Sequence, residues 1–420
     1  MPRAYIGRVA DAQLGERLGR VGAVLVEGVK GCGKTETARR VAASEVALDL
    51  DLVSRQTAQI DPARILDGPA PRLIDEWQVV PEVWNAVRRA VDSRAADGQF
   101  ILTGSATPSD DAARHSGAGR FSRLRMRPLS LAESGLSSAE VSLAGVLGGD
   151  PVEAGRSRLG LGELIDEVCH GGWPRDRSRP VAQAARNAAD LVDELAFGDI
   201  KTVGDIRRDP VRVRALLRSL ARNTATEAAT ATLAEDAARG GVSLRPETAA
   251  AYLDALERLM VYEPLTAWSP VLRDKARVRR RPKHHLVDPA LACALLNAGP
   301  AELGRDLKTF GLLFESLAVR DLRVYADAAY ARVKHYRDNT GLEVDLVIDA
   351  GYRRWAAFEV KLAGSKPATD QAAKNLLRFA AKVDTQSAGA PVCLGVITAQ
   401  GQAYTRPDGV ALIPLAALGP

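Results

Sequence analysis

Gly28-Val29-Lys30-Gly31-Cys32-Gly33-Lys34-Thr35 fits the pattern G-x-x-x-x-G-K-[ST] at every position. Its surroundings give the match weight. The apolar run Gly22-Ala23-Val24-Leu25-Val26-Glu27 precedes it, and Lys34-Thr35-Glu36-Thr37-Ala38-Arg39-Arg40-Val41 follows, so the order strand, loop, helix is predicted. The glycines let backbone N–H groups turn inward on phosphate oxygens, which also meet the positive end of the following helix. Lys34 is expected to neutralise the β- and γ-phosphates, and the Thr35 hydroxyl to ligate Mg²⁺. Gly28, Val29, Lys30, Gly31, Cys32, Gly33, Lys34 and Thr35 thus form the expected ATP-binding element, with Mg²⁺ as the second cofactor.

Outward from the loop, further strands are predicted at Ala47–Leu52, at Arg72-Leu73-Ile74 running into Asp75, and at Phe100–Thr103. Val83, Val87, Ala90 and Val91 share one helical face between the last two. This alternation implies a parallel sheet with helices on both faces. Asp75-Glu76 closes its strand with two acids. Asp75 is expected in the Mg²⁺ shell and Glu76 as general base toward water. A helix start is the other reading of such a pair, but the next helix begins at Pro81 without a capping pattern. Thr103 and Ser105 stand where a polar sensor would orient water, although Thr-Gly-Ser also reads as a simple turn. Arg120 is a candidate arginine finger, in cis or from a neighbouring subunit. Arg114, Arg123, Arg125 and Arg127 crowd around it, so its position alone does not single it out.

The remaining composition bounds the answer. A chain of 420 residues, 46% hydrophobic and 26% charged, is globular and long enough for two or three domains. The net charge is +5, and of 57 basic residues only 11 are Lys and 46 are Arg. Arginine suits bidentate phosphate contacts, which permits DNA as a partner, but a GC-rich genome gives the same bias. Cys32, Cys169, Cys293 and Cys393 are scattered without metal or redox spacing, as expected of reduced thiols. The five histidines form no metal triad, His284-His285 reads as a strand start, and the tryptophans read as core anchors. With no signal-like core and no apolar run of membrane-spanning length, a cytoplasmic protein without membrane partners is expected.

Residues 134–160 read as a Ser/Gly/Ala-rich loop or linker, and 161–235 as mostly helical. An amphipathic helix follows through Tyr252, Leu253, Leu256, Leu259 and Met260. Together with the basic extended segment Arg273 to Lys283, it is compatible with a winged helix-turn-helix. The polar face of that helix offers Arg245, Glu247, Thr248 and Asp254. Two acids among the four weaken a DNA-reading role, and packing or subunit contact serves as well. Toward the C-terminus a helix is predicted near Leu312–Leu322. Strands are predicted at Val333–Tyr336, Glu343–Ile348, Ala356–Val360 and Val392–Ile397.

The run from the phosphate loop through Leu73-Ile74-Asp75-Glu76-Trp77-Gln78, Ile101-Leu102-Thr103-Gly104-Ser105 and Ala118-Gly119-Arg120 to Arg127-Pro128-Leu129-Ser130 resembles a family of prokaryotic AAA-type ATPases. That family carries a C-terminal domain of unknown function. Gly171-Gly172-Trp173-Pro174, His285-Leu286-Val287-Asp288 and Leu313-Phe314-Glu315-Ser316 extend the likeness along nearly the whole chain. The resemblance implies an AAA-type P-loop domain at 1–136 and a linker and helical region at 137–200. It further implies a winged-helix-like region at 201–300 and a mixed α/β PD-(D/E)XK nuclease-like domain at 301–420. It favours Arg120 over its neighbours. The residues speak to the nuclease likeness independently. Asp345 lies in an alternating strand, and in Glu359-Val360-Lys361 acid and lysine point to one sheet face. Asp345 and Glu359 are expected to hold Mg²⁺, Glu315 to complete the acids and Lys361 to orient the nucleophile; exposed charges on a hairpin are the plainer reading. The expectation is an Mg²⁺-dependent ATPase controlling a DNA-directed, nuclease-like module. The alternative is an ATP-dependent switch or scaffold for protein partners or a homo-oligomer, its nuclease-like domain inert.

Overall fold

The computed structural model of the chain describes residues 4–105, 117–202, 209–270 and 281–420. Helix α1 (Val9–Leu18) leads into β1 (Ala23–Gly28), then α2 (Lys34–Arg39), β2 (Ser44–Ala47), α3 (Leu52–Ile60), β3 (Arg72–Asp75), α4 (Val83–Arg94), β4 (Phe100–Gly104) and β5 (Phe121–Met126). The five strands are all parallel, in the order β2-β3-β4-β1-β5. Val24, Val26, Leu73 and Ile101 pack with α1 on one face, and Ala23, Leu25, Ile74 and Leu102 pack with α4 on the other. A parallel sheet buried on both faces explains why its strands are continuous apolar runs. Because the strands are parallel, Gly28, Asp75 and Gly104 all emerge at one edge. With β4 between β1 and β3, Thr103 stands between the phosphate loop and Asp75.

The second strand occupies Ser44–Ala47 and not the expected Ala47–Leu52. Asp51 is the reason: its carboxylate accepts the backbone N–H groups of Val53 and Ser54 and starts α3. Leu50 and Leu52, which suggest a strand, are exposed.

The stretch expected as a linker is also structured. It holds β6 (Val141–Ser142) and α5 (Leu143–Gly148), with Leu143, Val146 and Leu147 buried. β6 pairs in parallel with Leu418–Gly419, so this arm fastens onto the far end of the chain. Helices α6 (Leu161–His170), α7 (Val181–Phe197), α8 (Pro210–Arg222), α9 (Thr230–Ala238) and α10 (Pro246–Arg258) follow. After α10 come two antiparallel bridges, Tyr262 with Leu286 and Leu265 with Lys283. Within the expected segment Arg273 to Lys283, residues 273–280 lie outside the described residues. His284 and His285 are buried beside the bridges, with His284 Nδ1 2.7 Å from the Tyr262 hydroxyl.

Helices α11 (Pro289–Leu296), α12 (Pro300–Arg305) and α13 (Leu307–Ala328) precede a six-stranded sheet. Its strands are β7 (Arg332–Arg337), β8 (Glu343–Asp349), β9 (Trp355–Lys361), β10 (Cys393–Thr398), β11 (Tyr404–Thr405) and β12 (Ala411–Pro414). The order is β11-β12-β10-β9-β8-β7. β7, β8 and β9 form an antiparallel meander, and β10 adds in parallel between β9 and β12. Helix α14 (Lys366–Lys382) covers one face through Ala372, Leu376 and Phe379. α13 runs well beyond the expected Leu312–Leu322, because Asp306 caps it through the Thr309 N–H.

A buried ion cluster ties these parts together. Arg320 on α13 donates to Asp288 (2.8 Å) and Asp321 (2.9 Å), and all three side chains are buried. Asp321 also accepts the Leu131 N–H at 3.0 Å, and Asp288 the Gly172 N–H at 3.0 Å. Each carboxylate thus meets both a guanidinium and a backbone donor, the condition under which buried charge is tolerated. A Cβ on Gly172 would lie 2.3 Å from the Leu129 carbonyl oxygen, so the close approach there requires glycine.

Candidate nucleotide site and a second acidic centre

The loop after β1 turns through Gly31 (φ 78°) and Gly33 (φ 105°), both left-handed. At Gly28 a Cβ would stand 2.2 Å from the Met126 carbonyl oxygen, so glycine is needed there for packing. Lys34 is buried, its Nζ donating to the carbonyl oxygens of Gly28 (3.0 Å) and Val29 (3.2 Å). The Thr35 hydroxyl donates to Asp75 Oδ1 at 2.8 Å, and the Thr103 hydroxyl, fully buried at the end of β4, donates to the same oxygen. The simple-turn reading of Thr-Gly-Ser therefore gives way, since Thr103 and Gly104 are strand residues. Thr35, Asp75 and Thr103 meet at one point, and two hydroxyls with a carboxylate are the hard oxygen donors that Mg²⁺ takes.

Glu76 sits beside them in a left-handed conformation (φ 52°), unusual for a residue with a side chain. Its carboxylate accepts from the Gln78 amide and, at 3.5 Å, from the Ser105 hydroxyl. Burial pushes its pKa up, and the nearby Lys34 charge pulls against that. A partly desolvated carboxylate at the edge where the phosphate loop emerges is suited to taking a proton.

Three residues not singled out from sequence hold this site. Gln78 orients Glu76. Arg8 donates to the Cys32 carbonyl (2.7 Å) and the Arg127 carbonyl (2.7 Å), with Glu133 3.1 Å from its Nε. The Trp173 indole N–H donates to the Lys30 carbonyl at 3.1 Å, and its ring lies against Gly31. The expectation that tryptophans anchor cores holds for Trp77, Trp84, Trp268 and Trp355, whereas Trp173 also grips the loop. Its one signal was its place in Gly171-Gly172-Trp173-Pro174. Lys30 faces outward to Asp199 (3.2 Å) and Glu194 (3.5 Å).

Arg120 is not part of this cluster. Phe121, the next residue, is in register with Ala23, at the start of β1 and the opposite edge from Gly28. Five residue steps at about 3.3 Å each separate those edges by roughly 16 Å. Arg120 is paired with Asp92 (Nε to Oδ1, 2.7 Å). The cis arginine-finger reading does not fit this placement. Arg114 lies outside the described residues.

The C-terminal candidates do converge. Glu359 and Lys361 on β9 and Glu315 on α13 are all neighbours of Asp345 on β8. Lys361 Nζ lies 2.6 Å from Glu359 and 3.2 Å from Asp345, and Asp345 also accepts the Val360 N–H at 2.9 Å. Sequence reasoning missed Lys283. Buried at 2% exposure, its ammonium lies 2.9 Å from Glu315, 2.9 Å from Glu343 and 3.2 Å from Asp345. Burial pushes Glu315 up to about 7 and Glu359 up to about 8, the Asp345 charge adding to both. Burial opposes charge on Asp345 as well, but Lys283 and Lys361 hold its carboxyl well below the usual range. Among the described residues no three His, Cys, Asp or Glu side chains stand together as a metal site. As arranged, the expected Mg²⁺ pair is occupied by ammonium groups: Lys283 and Lys361 both bond to Asp345, and Lys361 also to Glu359. The hairpin-surface reading fails too, since these acids are buried.

Residues 21–135 match the model of an AAA domain. Residues 161–302 match a domain of unknown function (DUF8612), and residues 310–418 match a further one (DUF4143). Uncharacterized proteins of Mycobacterium bovis and Mycobacterium tuberculosis are each 27% identical over 362 residues, covering 84% of this chain and 73% of theirs. Among solved structures the chain is similar to a Walker-type ATPase of Pyrococcus abyssi, at 13% identity, over 70% of this chain and 96% of that one, with TM-score 0.43. It is also similar to the replication initiator DnaA bound to AMPPCP and single-stranded DNA, at 12% identity, over 61% and 90%, with TM-score 0.27. Likenesses this loose carry no functional argument. The AAA match, on the sheet and loop described above, makes the N-terminal unit an AAA-type P-loop domain. No helix among the described residues is long and apolar enough to cross a membrane.

Proposed function

We propose that the chain is an Mg²⁺-dependent ATPase that works as a nucleotide-controlled switch. The observation that carries this is the meeting of Thr35, Asp75 and Thr103 at the sheet edge beside Glu76 and the phosphate loop. When bound, Mg²⁺ supplies neutralisation of phosphate charge. Thr35 and Asp75 are the residues to hold it, with Thr103 fixing the Asp75 carboxylate. Lys34 exchanges two backbone carbonyls for phosphate oxygens, a stronger, charge-assisted pairing. Glu76, oriented by Gln78, takes the proton of the attacking water. An assay of ATP turnover should show activity with Mg²⁺ and none with excess EDTA; undiminished turnover in EDTA would contradict the proposal.

Transmission of nucleotide state has a physical route. Trp173 holds the loop at Lys30, and its neighbour Gly172 is fixed to Asp288 in the Arg320 cluster. A shift of the loop on nucleotide binding pulls on that contact and through it on α11 and α13. Arg120, facing away from its own site, fits a homo-oligomer in which it reaches a neighbour's nucleotide. Helices α8 to α10 with the paired segments after them are read as a winged helix used for packing, and the C-terminal sheet as a PD-(D/E)XK-like fold. Of the two readings of that fold, the silent one is favoured by Lys283, whose ammonium neutralises the acids that a catalytic metal would need. Supercoiled DNA incubated with Mg²⁺ or Mn²⁺ should therefore remain uncut by wild type and Asp345→Ala alike. Cutting by wild type alone would restore a DNA-directed nuclease.

A further inference from the structure

A cavity of about 330 Å³ lies where the three parts of the chain meet. Its walls come from α1 and β5 of the AAA-type domain, from Glu257–Pro264 after the helical region, and from α13 and β7. Six guanidiniums line it, those of Arg17, Arg123, Arg125, Arg127, Arg323 and Arg332, against only three carboxylates, Glu257, Glu263 and Asp327. Glu263 alone is shared by Arg125 (2.9 Å), Arg127 (2.9 Å) and Arg323 (3.3 Å). Asp327 takes a second bond from Arg127 at 2.6 Å and faces Arg332 at 4.0 Å, while Arg123 turns to Glu27 at 3.0 Å.

Among the described residues, the buried lining atoms without a hydrogen-bond partner are donors: Gln13 Nε2, Arg17 Nε and Nη1, and Arg125 Nε. Gln13 is itself only 7% exposed. A wall with six guanidiniums against three carboxylates, and with buried donors left unsatisfied, is complementary to an acceptor-rich anion. Burial draws the Arg323 pKa down to about 10, with Arg127 and Arg125 adding to the strain of like charge, so an added anion relieves it. The side chains of Arg127 and Arg323 are largely buried, and the volume is that of a small-molecule site.

We infer that this cavity binds a small phosphorylated anion, separate from the phosphate loop. The ligand bridges the AAA-type domain to the C-terminal part and stiffens the joint between them. This does not depend on the ATPase reading, because neither Lys34 nor Thr35 lines the cavity.

The probe is inorganic pyrophosphate, titrated calorimetrically into the full chain carrying Lys34→Ala so that the phosphate loop contributes little. Saturable binding is expected. Adding Arg17→Met with Gln13→Leu should weaken it about tenfold, that is by about 1.4 kcal/mol. Arg332→Gln, at an 80% exposed rim position where folding is not at risk, should weaken it severalfold. No heat with the Lys34→Ala chain would mean that the cavity holds only solvent and would overturn the inference. Affinity unchanged by both sets of substitutions would place the anion elsewhere and overturn it equally.

Discussion

Glu76→Gln is expected to slow ATP turnover by about 10²- to 10⁴-fold, the range over which a positioned general base acts, while leaving MgATP affinity within a few-fold of wild type. The argument is one of charge and place. The glutamine keeps the volume and can still bond to Gln78 and Ser105, the two groups that hold the Glu76 carboxylate. It cannot accept a proton from water. Burial and the left-handed backbone at Glu76 keep that side chain at the edge where the phosphate loop, Asp75 and Thr103 meet. Loss of a transition-state interaction with binding preserved is the signature of a catalytic group, and parallel loss of both would mark a structural one. Steady-state turnover alongside equilibrium binding of a non-hydrolysable analogue separates the two. Turnover unchanged in Glu76→Gln would remove Glu76 from the chemistry.

Much of the nucleotide site was legible because it is local. A strand followed by a glycine loop and a lysine within one eight-residue motif reports its own geometry, and Asp75 announces itself as the polar end of an apolar strand. Arg120 shows what local reading overlooks. A residue just before a parallel strand must lie at the edge opposite a loop that follows one, so the topology already denied it a place beside its own phosphates. The misplaced second strand has a similar cause, since Leu48, Leu50 and Leu52 suggest β-structure until the Asp51 cap is weighed against them.

The C-terminal centre was half legible. Asp345, Glu359 and Lys361 follow from strand alternation, and Glu315 came with a motif. Lys283 carries no signal, since it comes from a bridged segment far along the chain from Asp345, and only tertiary packing brings its ammonium to the acids. The Arg320 cluster was hidden for the same reason, though the residues around it, from Leu129 to Gly172 to Asp288, were the very motifs by which the chain resembled a family. Those motifs are joints: several residues that looked like functional signals hold the AAA-type domain against the rest of the chain.

Lys34→Ala carries the other large expectation. On the proposed reading the Lys34 ammonium meets the β- and γ-phosphates; in the structure it is buried and rests on the loop's own carbonyls. Removing it leaves the backbone cradle and the helix end, and takes away the only full positive charge directed at those oxygens from within the loop, since Lys30 is turned outward to Asp199 and Glu194. Charge-assisted contacts to phosphate are the strong ones, and losing two or three at roughly 1.5–3 kcal/mol each corresponds to about a hundredfold or more in affinity. The decisive measurement is equilibrium binding of MgATP to wild type and Lys34→Ala at equal salt. Saturable binding by wild type, weakened at least about a hundredfold in the variant, is the predicted result; tight binding retained by Lys34→Ala would contradict the nucleotide site itself.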